Sequence, residues 1–476
     1  MAGGQAAPGS FPPPRTVPPA SVPPAAGSPT PAPAAPSKSM FRFLPLILGL
    51  LLIFGVGFWI ISRVLASRQT PQTVTNTQTT TAQKVTITYW GLWEPSRVLE
   101  DVIKDFESQN PGVTVNYQQQ SYRDYRERLQ TAIAGNQGPD VFRFHASWVP
   151  MLKSELSPVP ASVMKPSDFQ SQYYPVVSEQ LQSGGQFVGV PLMYDGLALF
   201  YNKDMLRSAN ADPPKTWADL RTLASRLTVR TNGQIQRGGL AIGNASNVEH
   251  FSDILGLLIL QNGGDITKPT SKATTDAITF YTNFYTQDKV WDASLPSSTL
   301  AFSRGDAAMM LAPSWRAHDI MAQNPNLSFG IAPVPQLSTN RTTWASYWAE
   351  GVNAQSKNKE VAWKLIQFLS QKETLQKLYS DASKERSFGE IYPRTDMAAD
   401  LATNEFAAAY LSDAPYAKSS YMNSFTHDNG INDQIIKYYE DAVTAITTNQ
   451  RSDEALTTVD QGVRQVLRQY NLTPTP

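Results

Sequence analysis

From residue 84 onward, apolar residues recur with two periods. VTITYW at 85–90 alternates as a half-buried strand does, and Val98, Leu99, Val102, Ile103 and Phe106 then recur at helical spacing until Asn110, Pro111 and Gly112 stop the helix. VTVNYQ at 113–118 predicts a second strand, a helix carrying Tyr125, Leu129 and Ile133 ends at Gly135, and DVFRF at 140–144 predicts a third strand. The order βαβαβ predicts a parallel sheet. In open sheets of this kind ligands lie beyond the carboxyl ends of the strands. YWGLWE at 89–94 and RFHASW at 143–148 both fall at such ends, so two tryptophan-bearing loops are expected to meet at one mouth. Further along, a capped helix begins at Thr216, Trp217, Ala218 and Asp219, and helical spacing recurs over 251–261, 271–287, 360–371 and the QIIKYYEDAVTAI stretch. No internal repeat is visible.

The chain upstream of residue 84 has a different texture. Residues 1–39 are Pro, Ala, Gly and Ser with almost no large apolar side chains, a composition expected to be disordered. FLPLILGLLLIFGVGFWII at 43–61, bracketed by Arg42 and Arg63, is uninterrupted and close to the roughly 20 residues that span a bilayer core. A cleaved signal peptide is the alternative, but the stretch before the run is too long and the run exceeds the usual length, so a retained transmembrane helix is expected. Lys38 and Arg42 on one side balance Arg63 and Arg68 on the other, so charge does not orient it. Residues 64–83 form a polar Thr/Gln-rich linker.

Composition removes several classes of function. With 40 basic against 40 acidic residues and no basic stripe, the footprint of a nucleic-acid binder is missing. There is no cysteine, hence no disulfide, thiolate nucleophile or lipidated cysteine. His145, His250, His318 and His427 are scattered, and no pair has metal-ligand spacing, so no metal or cofactor is expected. At 476 residues the chain is long enough for two domains of ordinary size.

Five phrases carry a resemblance: ITYWGLWE at 87–94, GPDVFRFHASW at 138–148, VPLMYDGLALFYNKDML at 190–206, FSRGDAAMMLAPSW at 302–315 and EGVNAQSKNKEVAWKLIQFL at 350–369. In their order and spacing they resemble the family 1 extracellular solute-binding proteins of ABC importers, the sugar-binding group that includes the maltose-binding protein. The likeness covers about 84–468. It implies a two-lobed α/β periplasmic-binding-protein fold of type II, with 84–198 and 350–395 in the first lobe and 199–349 and 396–476 in the second. It implies a carbohydrate held in the cleft and passed to the permease subunits of an importer, without catalysis. It also implies a monomeric bacterial protein whose large domain lies outside the cytoplasm. The departure is the tether: many relatives carry a lipidated cysteine, and this chain has none.

Sugars present hydroxyl edges and apolar C–H faces, so their sites need flat aromatic rings together with carboxylates and amides. The resemblance places ligand contacts at Trp93 and Glu94 after the first strand, with Trp90 a core residue. It adds His145, Ser147 and Trp148 in the FRFHASW loop, and Tyr194 and Asp195 before the first passage between lobes. Trp315 matches the family's stacking tryptophan of the second lobe; Tyr347, Trp348 and Glu350 lead into the second passage, and Arg394 and Asp428 are further candidates. A cleft of tryptophans and carboxylates also suits a glycoside hydrolase, with Glu94, Asp195 and Glu350 as possible carboxylates, but nothing sets one of them in an apolar pocket. A surface adhesin or sensor binding a non-sugar solute without transport is a further alternative.

Overall fold

The computed structural model describes residues 84–423 and 426–472. The tail, apolar run and linker expected within 1–83 lie outside the described residues. Among the described residues no helix is long and apolar enough to cross a membrane.

Eight strands build the two main sheets: β1 (Val85–Gly91), β2 (Val113–Gln119), β3 (Val141–His145), β4 (Val190–Pro191), β5 (Ala198–Asn202), β6 (Met309–Ala312), β7 (Phe329–Ala332) and β8 (Trp348–Val352). The first sheet has the order β2-β1-β3-β8-β4. β1 is parallel to β2 and β3 as the βαβαβ pattern predicts, but β8 returns from far along the chain and runs antiparallel to β3 and β4, so the sheet is mixed. Helix α1 (Ser96–Gln109) covers it with Val98, Leu99, Val102 and Phe106 buried, and α2 (Tyr125–Ala134) adds Tyr125, Leu129 and Ile133. At the end of β1 a side chain on Gly91 would collide with the Tyr117 ring, so the strands approach there as only glycine permits.

The second sheet is antiparallel, with β5 between β6 and β7. Strand β6 has no alternation to read, because all of MMLA is buried. Its helices are α3 (Phe251–Gln261), α4 (Lys272–Thr286), α5 (Ser298–Arg304) and α6 (Arg316–Gln323), whereas α7 (Lys359–Leu369) and α8 (Lys372–Glu385) pack on α1 and return the chain to the first half. The final pair, α9 (Ile431–Thr447) and α10 (Ser452–Gln469), pack on each other and on α4.

The passages between the halves lie side by side. Tyr194 N donates to Ile391 O at 2.8 Å, Ser346 N donates to Asp195 O at 3.0 Å, and Gly196 bridges Ala345. A side chain at Gly196 would run into the Trp344 carbonyl, which fixes how closely the passages can approach. The divisions expected after 198 and 349 fall just inside strands: Ala198 already pairs in the second sheet, and Trp348 and Ala349 still pair in the first.

Candidate ligand-binding cleft

A cavity of about 900 Å³ opens between the carboxyl ends of the first sheet and the loops of the second. Its first wall is aromatic. Trp93, from the loop after β1, is 38% exposed; its ring lies 5.6 Å from that of Tyr122, which follows β2, and 5.7 Å edge-on to that of Trp348 at the start of β8. Trp348 is braced in turn by Trp148 at 5.1 Å and by His145 at 5.2 Å.

His145 is held by protein partners at both ring nitrogens. The backbone N–H of Ser147 donates to Nδ1, so in the neutral ring Nε2 carries the proton and donates to Ser346 Oγ at 3.1 Å. Burial pushes its pKa down to about 3, which keeps the imidazole uncharged at neutral pH.

Asp195 forms the floor. Its Oδ1 accepts from the backbone N–H groups of Gly196 at 2.7 Å and Ser314 at 3.0 Å, and its Oδ2 accepts from Ser314 Oγ at 2.9 Å. Burial raises its pKa to about 7 although these donors pull the other way. The carboxyl thus ties the passage before β5 to the end of β6.

The second wall comes from the loop entering α3 and the loop after β6. Trp315 is 44% exposed to the cavity. The Arg316 guanidinium lies over the ring, 4.2 Å from its centroid, and His250 meets the ring edge-on at 5.7 Å. Glu249 reaches Arg316 with Oε1 at 2.9 Å and accepts from the Thr299 N–H, at the start of α5, with Oε2 at 2.8 Å. Burial alone would raise the Glu249 carboxyl, but Arg316 and Thr299 outweigh it and hold the pKa below the usual value. A third edge carries Arg386 and Glu390, which pair with each other, and His318 of α6.

Of the residues singled out in the sequence, Trp93, His145, Asp195, Trp315, Tyr347 and Trp348 line the cavity. The others stand outside its lining, each for a visible reason. Glu94 and Glu350 are drawn beneath the wall by Arg143, which pairs with both, and Tyr89 donates to Glu350 at 2.9 Å. Ser147 is held between His145 and Asn432, and Trp148 lies behind Trp348. Tyr194 is buried between Tyr174 and Tyr347. Arg394 closes on Asp396 and the Ser370 carbonyl over the Tyr173 ring, and Asp428 is taken by Arg126 at 3.2 Å.

Lining residues that the sequence did not reveal include Tyr122, Glu249, His250, Arg316, His318 and Arg386. Tyr122 follows β2, so the same rule of strand ends could have found it. The rest are assembled by contacts distant in sequence. Among the described residues no group of His, Asp or Glu could hold a metal ion.

Two lobes, an aromatic-walled cleft between them and paired backbone passages beneath it form a site able to enclose a solute. Residues 93–376 match the profile of the bacterial extracellular solute-binding protein family, and the chain belongs to that family. Its first relatives include a binding protein of Brucella abortus, 25% identical over 282 residues, 58% of this chain and 68% of that one. The maltotriose-binding protein of Pyrococcus abyssi is 22% identical over 62% of this chain and 65% of its own. Among solved structures, the sugar-binding protein MalE of Xanthomonas citri superposes with a TM-score of 0.68 at 24% identity, covering 81% of this chain and 98% of that one; this likeness shows the two-lobed α/β fold.

Proposed function

We propose that this protein is the extracytoplasmic substrate-binding component of an ABC importer, closing two lobes on a neutral sugar or oligosaccharide and delivering it to a permease. The single observation that supports the reading best is that aromatic rings line both walls of the cavity, Trp93, Tyr122 and Trp348 on one and Trp315 on the other, with the Asp195 carboxyl at its floor. Flat rings suit the C–H faces of a pyranose, and the Asp195 carboxyl suits its hydroxyls. Relatives whose names state maltotriose or sugar binding support the same substrate class. In this reading residues 84–198 and 350–395 form one lobe and 199–349 and 396–476 the other, with the apolar run at 43–61 retained as a membrane anchor and the ligand-binding unit acting as a monomer.

The test is a titration of the full-length chain with maltotriose and a panel of mono- and oligosaccharides, polyols and peptides, read by tryptophan fluorescence and calorimetry. Saturable binding of a sugar that is recovered chemically unchanged is the expected result. Binding of peptides alone, or recovery of a hydrolysed sugar, would overturn the reading.

A further inference from the structure

The Arg316 guanidinium has a partner at each of its three nitrogens without any ligand. Its Nε donates to His250 Nε2 at 3.1 Å, Nη1 meets Asp319 at 2.9 Å and Nη2 meets Glu249 at 2.9 Å. The same group lies 4.2 Å from the centroid of the Trp315 ring. A planar fork held at all three nitrogens resists rotation, and a ring with that cation over its face is held in place by it. His250 fixes the remaining freedom: its Nε2 accepts from Arg316, its Nδ1 lies 3.4 Å from Asp253, and its ring stands edge-on to Trp315.

Trp315 needs such support. It is the N-cap of α6 and 44% exposed, so no packed core holds it. An exposed indole free to turn loses rotamer entropy each time it is ordered against a ligand.

We propose that Arg316 is the positioning residue of the Trp315 platform: clamped by Glu249, Asp319 and His250, it fixes the indole face toward the cavity before a carbohydrate arrives. The proposal rests on the carbohydrate reading of the cleft for its ligand but not for its geometry. Lysine cannot replace Arg316, because an ammonium offers no plane to stack and cannot meet three partners in one fork.

The experiment uses the full-length chain labelled with 5-fluorotryptophan, the Trp315 ¹⁹F resonance being assigned by its loss in W315F. In R316M this resonance is expected to shift and to show a larger H₂O-to-D₂O solvent effect while the remaining tryptophan resonances stay in place. R316K is expected to do the same, and it serves if R316M does not fold. The Kd for maltotriose should rise by roughly twofold to thirtyfold in both variants, the range of a stacked cation. An unchanged Trp315 resonance in R316M or R316K overturns the proposal. Wild-type affinity in W315A instead rejects the carbohydrate platform, and the resonance still reports whether Arg316 orients the ring.

Discussion

His318, on α6 of the second half, lies nearly face to face with Phe388, which follows α8 of the first half; their ring centroids are 4.1 Å apart and their planes 25° apart. Phe388 stacks in turn on Phe406 at 5.0 Å. A column of rings therefore joins the halves beside the cavity, and one member is titratable.

That membership gives stability a pH dependence. Burial, with Arg386 nearby, pushes His318 down to about 4, below its ordinary 6.5. A base with a lowered folded pKa costs nothing above 6.5, but stability is lost as pH falls from there toward 4, because the unfolded chain takes up the proton first. Thermal melts of H318F are expected to lose less between pH 6.5 and 4 than wild type; parallel loss in both proteins would free His318 of this role. His145 acts in the same direction down to about 3.

Asp195 carries the opposite sign. Its carboxyl is raised from 3.8 to about 7, so the folded state favours the protonated form and loses stability as pH rises through that window. D195N, which keeps an acceptor for Gly196 and Ser314, is expected to remove this loss, so that its melting temperature rises relative to wild type between pH 4 and 7. In the cleft the same substitution should weaken sugar binding most at pH 8, where wild type presents a full carboxylate. Equal weakening at pH 5 and pH 8 would disconnect the charge of Asp195 from the ligand.

The Arg143 cluster predicts a fold defect instead of a binding defect. Arg143, Glu94 and Glu350 are all buried, and removing the cation leaves two carboxylates without it. R143M should cost on the order of 3 kcal/mol or more in denaturant unfolding. A loss below about 1 kcal/mol would show that water reaches the carboxylates.

Aromatic anchors in desolvated clefts commonly contribute about 2 kcal/mol or more, roughly thirtyfold in Kd. W315A and W93A are each expected to lose that much sugar affinity with little change in melting temperature. Wild-type affinity in W93A would leave the first wall to Tyr122 and Trp348.

Protease added to intact cells tests the tether. If the run at 43–61 is a retained anchor with residues 1–38 inside, digestion should leave a membrane-bound fragment of tail and helix. A soluble form beginning near Ser67 would show a cleaved leader.

What the sequence made legible follows from which forces are local. β1 and β2 were readable because half-buried strands alternate, and α1 because its apolar residues repeat; β3 and β6 are both buried at every position, and β3 was legible only from its place in the βαβαβ order. Trp93 and His145 could be placed because strand ends converge by topology. Glu94 sits beside Trp93 and yet leaves the cavity, since Arg143 pulls it beneath the wall from 49 residues away. Arg316 was hidden for a similar reason: its neighbour Trp315 matched a family phrase, but Glu249 and His250 lie more than 60 residues earlier.

Gly196 has a consequence for recombining such proteins. Its α-carbon faces the Trp344 carbonyl with no room for a methyl group, and it bridges Ala345. The two passages therefore behave as one inherited unit, and a chimaera that exchanges the segment between them for that of a relative has to take both junctions from the same parent.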